Sequence, residues 1–213
     1  MNAKRMKTVP YRDDWPHDFL HIGNQLREAL GPLALRIDHI GSTSVPGLEA
    51  KDIIDIQVTV ADLDPAPLVE RLAPLGFILR EDYNRDHVPA GQAQEIEEWS
   101  KLNFQRPADM RPMHFHVRQA GRANQRYALL FRDYLRSNPG AAGNYALIKR
   151  ELIRLNAGDV DAYYAIKDPV CDLIMDAAEG WARETGWTPE AVMHFPPHVR
   201  RQETHGAFAN EEA

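Results

Sequence analysis

An aspartate inside an otherwise apolar run restricts the fold of this chain more than any other feature. The run, residues 53–60, has the sequence IIDIQVTV and carries Asp55 at its third position. It is short, rich in β-branched residues and bounded by loop residues, and so predicts a β-strand. Because a buried carboxylate is costly unless a cation or a hydrogen-bond donor compensates its charge, the fold must bring such a partner to Asp55.

A glycine and three hydroxyl residues precede this strand. Residues 34–40 predict a short strand, and the loop that follows contains Gly41, Ser42, Thr43 and Ser44. A glycine lets a ligand approach the backbone closely, and neighbouring amide and hydroxyl groups can bind phosphate oxygens. The loop therefore predicts a binding site for the phosphates of a nucleotide, although the same residues also fit a plain turn.

A divalent metal would connect the loop and the strand. An ion held by Asp55 can also bind the phosphates and lower the barrier to phosphoryl transfer. Lys51 lies just before the strand, where it can neutralise phosphate charge. We therefore assign Asp55, Ser42 and Lys51 as candidate catalytic residues. The alternative is that Asp55 only forms hydrogen bonds to the backbone at the edge of a sheet.

Two histidines form a second candidate feature for metal binding. His114 and His116 alternate with Phe115 in a predicted strand, so both imidazoles lie on one face. Beside the strand of Asp55 they would form a cluster of two histidines and one carboxylate, which favours Zn²⁺, Mn²⁺ or Fe²⁺ over Mg²⁺. His39 is placed to join this cluster. The alternative is that one histidine is exposed and the other bonds to Asp55 without a metal.

The remaining pattern predicts an α+β fold. Apolar residues recur at helical spacing over 13–30 and in three segments after residue 122, whereas 101–105 and 113–119 predict a hairpin. We expect a small mixed β-sheet with flanking helices and a C-terminal helical part. The predicted organisation is an α+β region at 1–120, a helical part packed on it in the same compact unit at 121–187, and a loose tail at 188–213.

Composition argues against several classes of protein. The net charge of −6 argues against a general nucleic-acid binder, which would present a basic face. A single cysteine, Cys171, allows no internal disulfide and no cysteine-based zinc site, so we expect a reducing, cytoplasmic compartment. No apolar run approaches ~18 residues and no secretory signal is visible, so we expect no association with a membrane.

Several ordered segments form one extended pattern along the chain. They are HIGSTSVPGL at 39–48, Ala-Lys at 50–51, IIDI at 53–56, HFHV at 114–117, FRDYLR at 131–136, Asn-Pro at 138–139, and Tyr145 with Lys149. Together these segments resemble the GrpB family over residues 11–181. The resemblance is extended and specific, and it does not cover residues 188–213.

The resemblance implies a nucleotidyltransferase-type sheet. GrpB proteins are similar to the polymerase-β-like superfamily, in which two acidic residues on one strand and a third on a later strand bind metal. Asp55 matches the first acidic position, but position 57 is a glutamine and the later strand carries histidines. Magnesium held by carboxylates is therefore in doubt. The resemblance also implies that Arg132 and Lys149 clamp phosphate, with Asp133 holding Arg132 in place.

Three functions are consistent with these residues. The first is metal-dependent nucleotidyl transfer from a nucleoside triphosphate to an unknown acceptor, using Mg²⁺, Mn²⁺ or Zn²⁺. The second is a non-catalytic module that binds a nucleotide or a partner. The family also occurs as an extension of some bacterial dephospho-CoA kinases, and this resemblance implies an accessory role in coenzyme A metabolism. The chain has no kinase phosphate loop, so it is not expected to be the kinase itself. The third is a transition-metal hydrolase that uses Asp55, His114 and His116.

Overall fold

The computed structural model describes residues 6–92, 95–156 and 159–190. In these ranges the chain forms six α-helices and five strands, which confirms the α+β prediction. The helices are α1 Trp15–Leu30, α2 Pro65–Leu72, α3 Ile96–Trp99, α4 Ala123–Ser137, α5 Pro139–Asn156 and α6 Val160–Thr185, and the strands are β1 Arg36–Ile40, β2 Ile54–Val60, β3 Ile78–Leu79, β4 Leu102–Gln105 and β5 Met113–Gln119.

The strands form one mixed sheet in the order β1-β2-β5-β4-β3. Strands β2 and β5 pair in parallel, and the other neighbours pair antiparallel. The register sets Asp55 opposite His114 and Gln57 opposite His116. Because paired residues share a face, these four polar side chains lie on one face of the sheet. The end of β1, the starts of β2 and β5 and the end of β4 meet at the same edge.

The other face of the sheet is apolar and packs on α1 and α2. Ile56 and Phe115 are fully buried there against Phe19 and Leu26 of α1. Each buried side chain of this size contributes about 1.5–3 kcal/mol to folding. The alternation within β2 therefore has a direct cause, since Ile54, Ile56, Val58 and Val60 cover the core and the polar residues between them cover the opposite face.

Helix α4 covers part of the polar face and connects it to the helical part. Leu130 and Leu135 of α4 form a second core with Val45 of the loop after β1, Tyr145 of α5 and Cys171 of α6. The three predicted helices after residue 122 are confirmed, and α5 begins at Pro139, where the first helix was expected to end. A proline at the first position of a helix costs no hydrogen bond.

The less regular segments agree with the sequence pattern where they are described. The polar stretch 81–98 is mostly loop and ends in α3, one helical turn near the position expected. The predicted loose tail lies outside the described residues from residue 191 onward. None of the described helices is long and apolar enough to cross a bilayer.

Candidate functional site

The loop after β1 lies directly against the carboxylate of Asp55. Gly41 has a φ of 68°, which residues with a side chain rarely adopt. A Cβ on Gly41 would lie 2.8 Å from Cγ of Asp55, closer than two carbon atoms can pack. The glycine therefore lets the loop backbone touch the aspartate, so that a phosphate bound by this loop would lie beside the carboxylate.

Two of the three loop hydroxyls form hydrogen bonds within the loop or with residues beside it. Ser44 Oγ donates to the carbonyl of Gly41 at 2.6 Å, and Thr43 Oγ1 lies 3.0 Å from Nε2 of His39 and 3.3 Å from the carbonyl of Ile53. Both residues are buried. These hydroxyls therefore hold the shape of the loop, and phosphate binding by Thr43 and Ser44 stays a prediction.

The third hydroxyl meets a lysine from the helical part. Nζ of Lys149 donates to Ser42 Oγ at 2.8 Å and to the carbonyl of Glu49 at 2.9 Å. It also lies 4.6 Å from the ring centre of Tyr145. Burial lowers the pKa of Lys149 to about 8, so its ammonium is charged at neutral pH. Helix α5 thus brings Lys149 to the loop, and phosphate binding by Lys149 stays a prediction.

Lys51 lies at the same edge of the sheet, just before β2. Its Nζ lies 3.3 Å from the hydroxyl of Tyr164 and 5.3 Å from the ring centres of Tyr163 and Tyr164. These aromatic contacts hold the ammonium near the strand ends without neutralising it. Lys51 thus remains a candidate for binding phosphate.

Asp55 and the two histidines of β5 meet on the polar face. Nδ1 of His114 lies 2.7 Å from Oδ1 of Asp55, and one nitrogen or oxygen atom from each of Asp55, His114 and His116 lies within 4.8 Å of the other two. The His114 side chain is 46 % exposed, whereas Asp55 is 25 % exposed. The predicted placement of the two strands side by side is confirmed. Two imidazoles and one carboxylate at this spacing are a donor set that could hold one transition-metal ion.

The surroundings keep the aspartate charged and one histidine neutral. Burial acts to raise the pKa of Asp55, but the hydrogen bond with His114 and the electrostatic effects of His114, His116 and Lys51 outweigh it, so this pKa lies below its ordinary value. Burial lowers the pKa of His116 well below its ordinary value, and the charge of Arg118 acts in the same direction. A charged carboxylate and a neutral imidazole are the forms that bind metal.

Arg118 is a buried residue of the polar face that the sequence analysis missed. Its Nη1 donates to Oε1 of Gln57 at 2.6 Å, and its Nε lies 2.8 Å from a carboxylate oxygen of Asp86. Because Oε1 of Gln57 already accepts from an arginine, Gln57 does not replace the missing metal-binding carboxylate. This agrees with the doubt, raised by the glutamine at position 57, that carboxylates hold magnesium here.

Strand alternation in the sequence could have identified Arg118, but no sequence pattern identifies its partner Asp86. Arg118 follows His116 by two residues in β5, so strand alternation places it on the same face. Asp86 lies in a polar loop, 32 residues from Arg118, and it also pairs with Lys101 at 2.7 Å. Nothing in the loop composition distinguishes Asp86 from its exposed neighbours.

The family model described as GrpB protein matches residues 5–177. The chain belongs to the GrpB family. The crystal structure of the conserved protein GrpB from Enterococcus faecalis superposes with a TM-score of 0.67 at 27 % identity, over 82 % of this chain and 99 % of that one. The described GrpB fold is therefore shared by a solved structure that this chain covers almost completely.

This chain matches different shares of the length of two curated relatives. The dephospho-CoA kinase of Mycolicibacterium paratuberculosis is 36 % identical over 197 residues, which cover 86 % of this chain and 48 % of that protein. The UPF0157 protein SCO7215 of Streptomyces coelicolor is 35 % identical over 128 residues, 60 % of each chain. The chain spans about half the length of the dephospho-CoA kinases that it matches.

His39 of this GrpB chain does not join the metal cluster. It pairs with Ile56 in the sheet, so its side chain lies on the apolar face, opposite to that of Asp55. Its ring stacks on Phe19 with centres 4.8 Å apart, and burial lowers its pKa to about 3. The prediction that His39 is a fourth ligand is wrong, because strand alternation directs it away from Asp55.

Arg132 makes its contacts inside the protein, whereas the family resemblance implied that it clamps phosphate. Its Nε lies 2.6 Å from Oδ1 of Asp133, and its Nη1 donates to the carbonyl of His39 at 3.1 Å and lies 3.5 Å from Asp38. Only 4 % of the arginine side chain is exposed. The expectation that Asp133 holds Arg132 is confirmed. These internal contacts join α4 to β1 and argue against the phosphate-clamp role, which stays a prediction.

Proposed function

We propose that this chain binds a nucleoside triphosphate and transfers its nucleotidyl group to a small acceptor, with the help of one divalent metal ion. The observation that carries the proposal is the contact between Gly41 and Asp55. It supports the proposal because a phosphate bound by the loop would lie beside a charged carboxylate.

The metal would be held by Asp55, His114 and His116. Two imidazoles and one carboxylate favour Mn²⁺, Zn²⁺ or Fe²⁺ over Mg²⁺, which prefers oxygen ligands. When bound, the ion supplies positive charge to the phosphate oxygens and lowers the barrier to transfer.

The residues around the cluster have distinct roles in this reaction. Ser42 and the charged Lys149 bind the β- and γ-phosphates, and Lys51 neutralises charge at the same edge of the sheet. A hydroxyl group of the acceptor attacks the α-phosphorus, and pyrophosphate leaves in line with the new bond. The proton of the attacking hydroxyl passes to solvent on the side of His114, which is about half exposed.

A second candidate is a non-catalytic nucleotide-binding module, and the Gln57 to Arg118 hydrogen bond favours it. Two-metal transfer needs further carboxylates, whereas this position is an amide whose oxygen bonds to an arginine. Several relatives are named dephospho-CoA kinase, so a role beside an enzyme of coenzyme A metabolism agrees with this alternative.

Calorimetry with nucleotides separates these functions. The four ribonucleoside triphosphates are titrated with Mn²⁺, Zn²⁺ or Mg²⁺ into wild type, Asp55→Ala and Asp62→Ala, where Asp62 is an exposed matched control beyond the end of β2. The proposal expects metal-dependent binding that Asp55→Ala abolishes and Asp62→Ala keeps. Release of pyrophosphate in the presence of candidate acceptors then distinguishes transfer from binding alone.

Two other results would count against transfer. Nucleotide binding that needs no metal and survives Asp55→Ala would favour the accessory module. Tight Zn²⁺ or Mn²⁺ binding without affinity for any nucleotide would favour the metal hydrolase instead.

A further inference from the structure

A pocket opens beside the cluster of Asp55, His114 and His116, on the side away from the loop after β1. It has a volume of about 410 Å³, within the range of small-molecule sites. His114 forms one wall, so the pocket adjoins the cluster directly. The residues that line it are Arg80, Asn103, Phe104, Gln105, Arg106, Ala108, Met113 and His114.

The pocket is positively charged. Arg80 and Arg106 are among its lining residues, and no carboxylate belongs to that lining within the described chain. Arg80 is neutralised by Asp82, with Nη2 and Oδ2 2.7 Å apart. Arg106 has no carboxylate within 4.0 Å among the described residues, and its Nη1 donates to the carbonyls of Pro107, at 2.7 Å, and Ala108, at 3.0 Å. A guanidinium anchored through one nitrogen keeps its other N–H groups for an anion.

Two amide side chains add hydrogen-bonding groups that suit a hydroxylated ligand. Nδ2 of Asn103 lies 3.5 Å from Nδ1 of His116, and Oε1 of Gln105 accepts from Nη1 of Arg80 at 3.3 Å. Asn103 is paired with His116 in the sheet, so its side chain lies on the same face as the cluster. An amide offers both donors and acceptors, which match the hydroxyl groups of a polyol.

The order of the strands places this pocket opposite the phosphate loop. The loop follows β1, Asp55 lies on β2 and His114 on β5, and the pocket extends from His114 over β4 to Arg80, the residue after β3. Neighbouring strands are ~4.8 Å apart, so the β4 residues of the pocket lie one strand beyond the cluster. In-line transfer requires the attacking group and the leaving pyrophosphate on opposite sides of the reacting phosphorus. The sheet therefore separates a leaving-group side from an acceptor side.

We propose that this pocket binds the acceptor, and that the acceptor is a small hydroxylated anion whose phosphate or carboxylate group pairs with Arg106. This inference rests on the proposed function for the role of the pocket. The binding of an anion does not depend on that function, because it needs neither metal nor nucleotide.

The test uses the full chain without metal or nucleotide. Glycerol 3-phosphate, glycerate and neutral glycerol are titrated while NMR follows the side-chain amide signals of Asn103 and Gln105. We expect an anion to shift these signals and glycerol to leave them unchanged, and the comparison of the two anions tells phosphate from carboxylate. In Arg106→Met the dissociation constant should rise at least tenfold, and Arg106→Lys should recover part of the affinity.

Matched variants separate this pocket from the phosphate loop. Arg71→Met removes an exposed arginine of α2 outside the pocket and should change the dissociation constant less than twofold. Loss of binding in Ser42→Ala but not in Arg106→Met would place the anion at the loop and overturn the inference. Equal shifts with glycerol would also overturn it.

The two proposals fail in different ways. Metal-dependent nucleotide binding without any anion binding would overturn the acceptor pocket and leave the proposed function. Anion binding in a chain that binds no nucleotide would overturn the acceptor role, with the failure located in the proposed function.

Discussion

The carboxylate of Asp55 occupies the space that a side chain on Gly41 would need. Asp55 lies on β2, and Gly41 lies in the loop after β1, the antiparallel neighbour of β2. Ile40, the residue before Gly41, pairs with Asp55 in the sheet. This contact joins the loop to the metal cluster and explains why a glycine stands at position 41.

Substitution of Gly41 by alanine should disturb both the backbone and Asp55. A positive φ costs a residue with a side chain about 1–3 kcal/mol, and the new Cβ would displace the carboxylate. Gly47→Ala is the matched control, because Gly47 has a φ of 77° but open space around a Cβ. Chemical unfolding should show a larger loss for Gly41→Ala, and metal affinity should fall only in that variant. Equal losses in both variants would mean that the contact with Asp55 is unimportant.

Nucleotide affinity should fall as the pH rises through about 8. Burial lowers the pKa of Lys149 to about 8, so the free protein loses its ammonium charge above that pH and attracts phosphate less. Calorimetry between pH 6.5 and 9.5 should show this decline in wild type and a flat profile in Lys149→Met. A wild-type profile that stays flat would exclude Lys149 from the phosphate site.

Metal ions should stabilise the protein through the histidines of β5. A metal at a hundred times its dissociation constant adds about 2.7 kcal/mol to the free energy of unfolding. Thermal unfolding with and without Zn²⁺ or Mn²⁺ should show this gain in wild type, its reversal by a chelator, and its loss in His116→Gln. His17→Gln, an exposed histidine of α1, should retain the gain; equal responses in the two variants would contradict the assigned cluster.

Arg132 should matter for stability more than for ligand binding. Removing one partner of a buried ion pair typically costs about 3–5 kcal/mol, because the other charge is left uncompensated. Arg132→Met should lower the free energy of unfolding by an amount of this order, whereas Lys149→Met should chiefly lower nucleotide affinity. Urea unfolding and nucleotide titration of both variants check this division. A stable Arg132→Met protein with weakened nucleotide binding would restore its role as a phosphate clamp.

Acid should destabilise the protein partly through His39. The folded-state pKa of His39 is about 3 because of burial, whereas an unfolded histidine titrates near 6.5. Between these two pKa values the unfolded state binds more protons than the folded state. The free energy of unfolding therefore falls on acidification from pH 6.5 toward 3, by up to about 1.4 kcal/mol per pH unit. His39→Gln should weaken this dependence between pH 6.5 and 4.5, measured by urea unfolding. His17→Gln is the control; an unchanged slope in His39→Gln would contradict the assignment.

Several parts of the candidate site were predictable because they depend on local patterns. Strand alternation placed His114 and His116 on one face, and the apolar run around Asp55 predicted a buried strand. Both outcomes depend on the period of two residues along a strand, which is visible in the sequence itself. The same rule would have placed His39 on the opposite face from Asp55, once the register of β1 and β2 was known.

The partners of the polar side chains were decided by tertiary structure. Ser42 and Lys149 are 107 positions apart, and Arg118 and Asp86 are 32 positions apart, so no local pattern relates them. Whether a hydroxyl or a guanidinium faces a ligand or the interior depends on which groups the folded chain brings within hydrogen-bond distance. The sequence by itself therefore determined the elements and the faces of their side chains. The packing of α4 and α5 on the sheet decided which groups Ser42, Thr43, Ser44, Arg132 and Lys149 meet, because a buried polar group is almost always paired inside the protein.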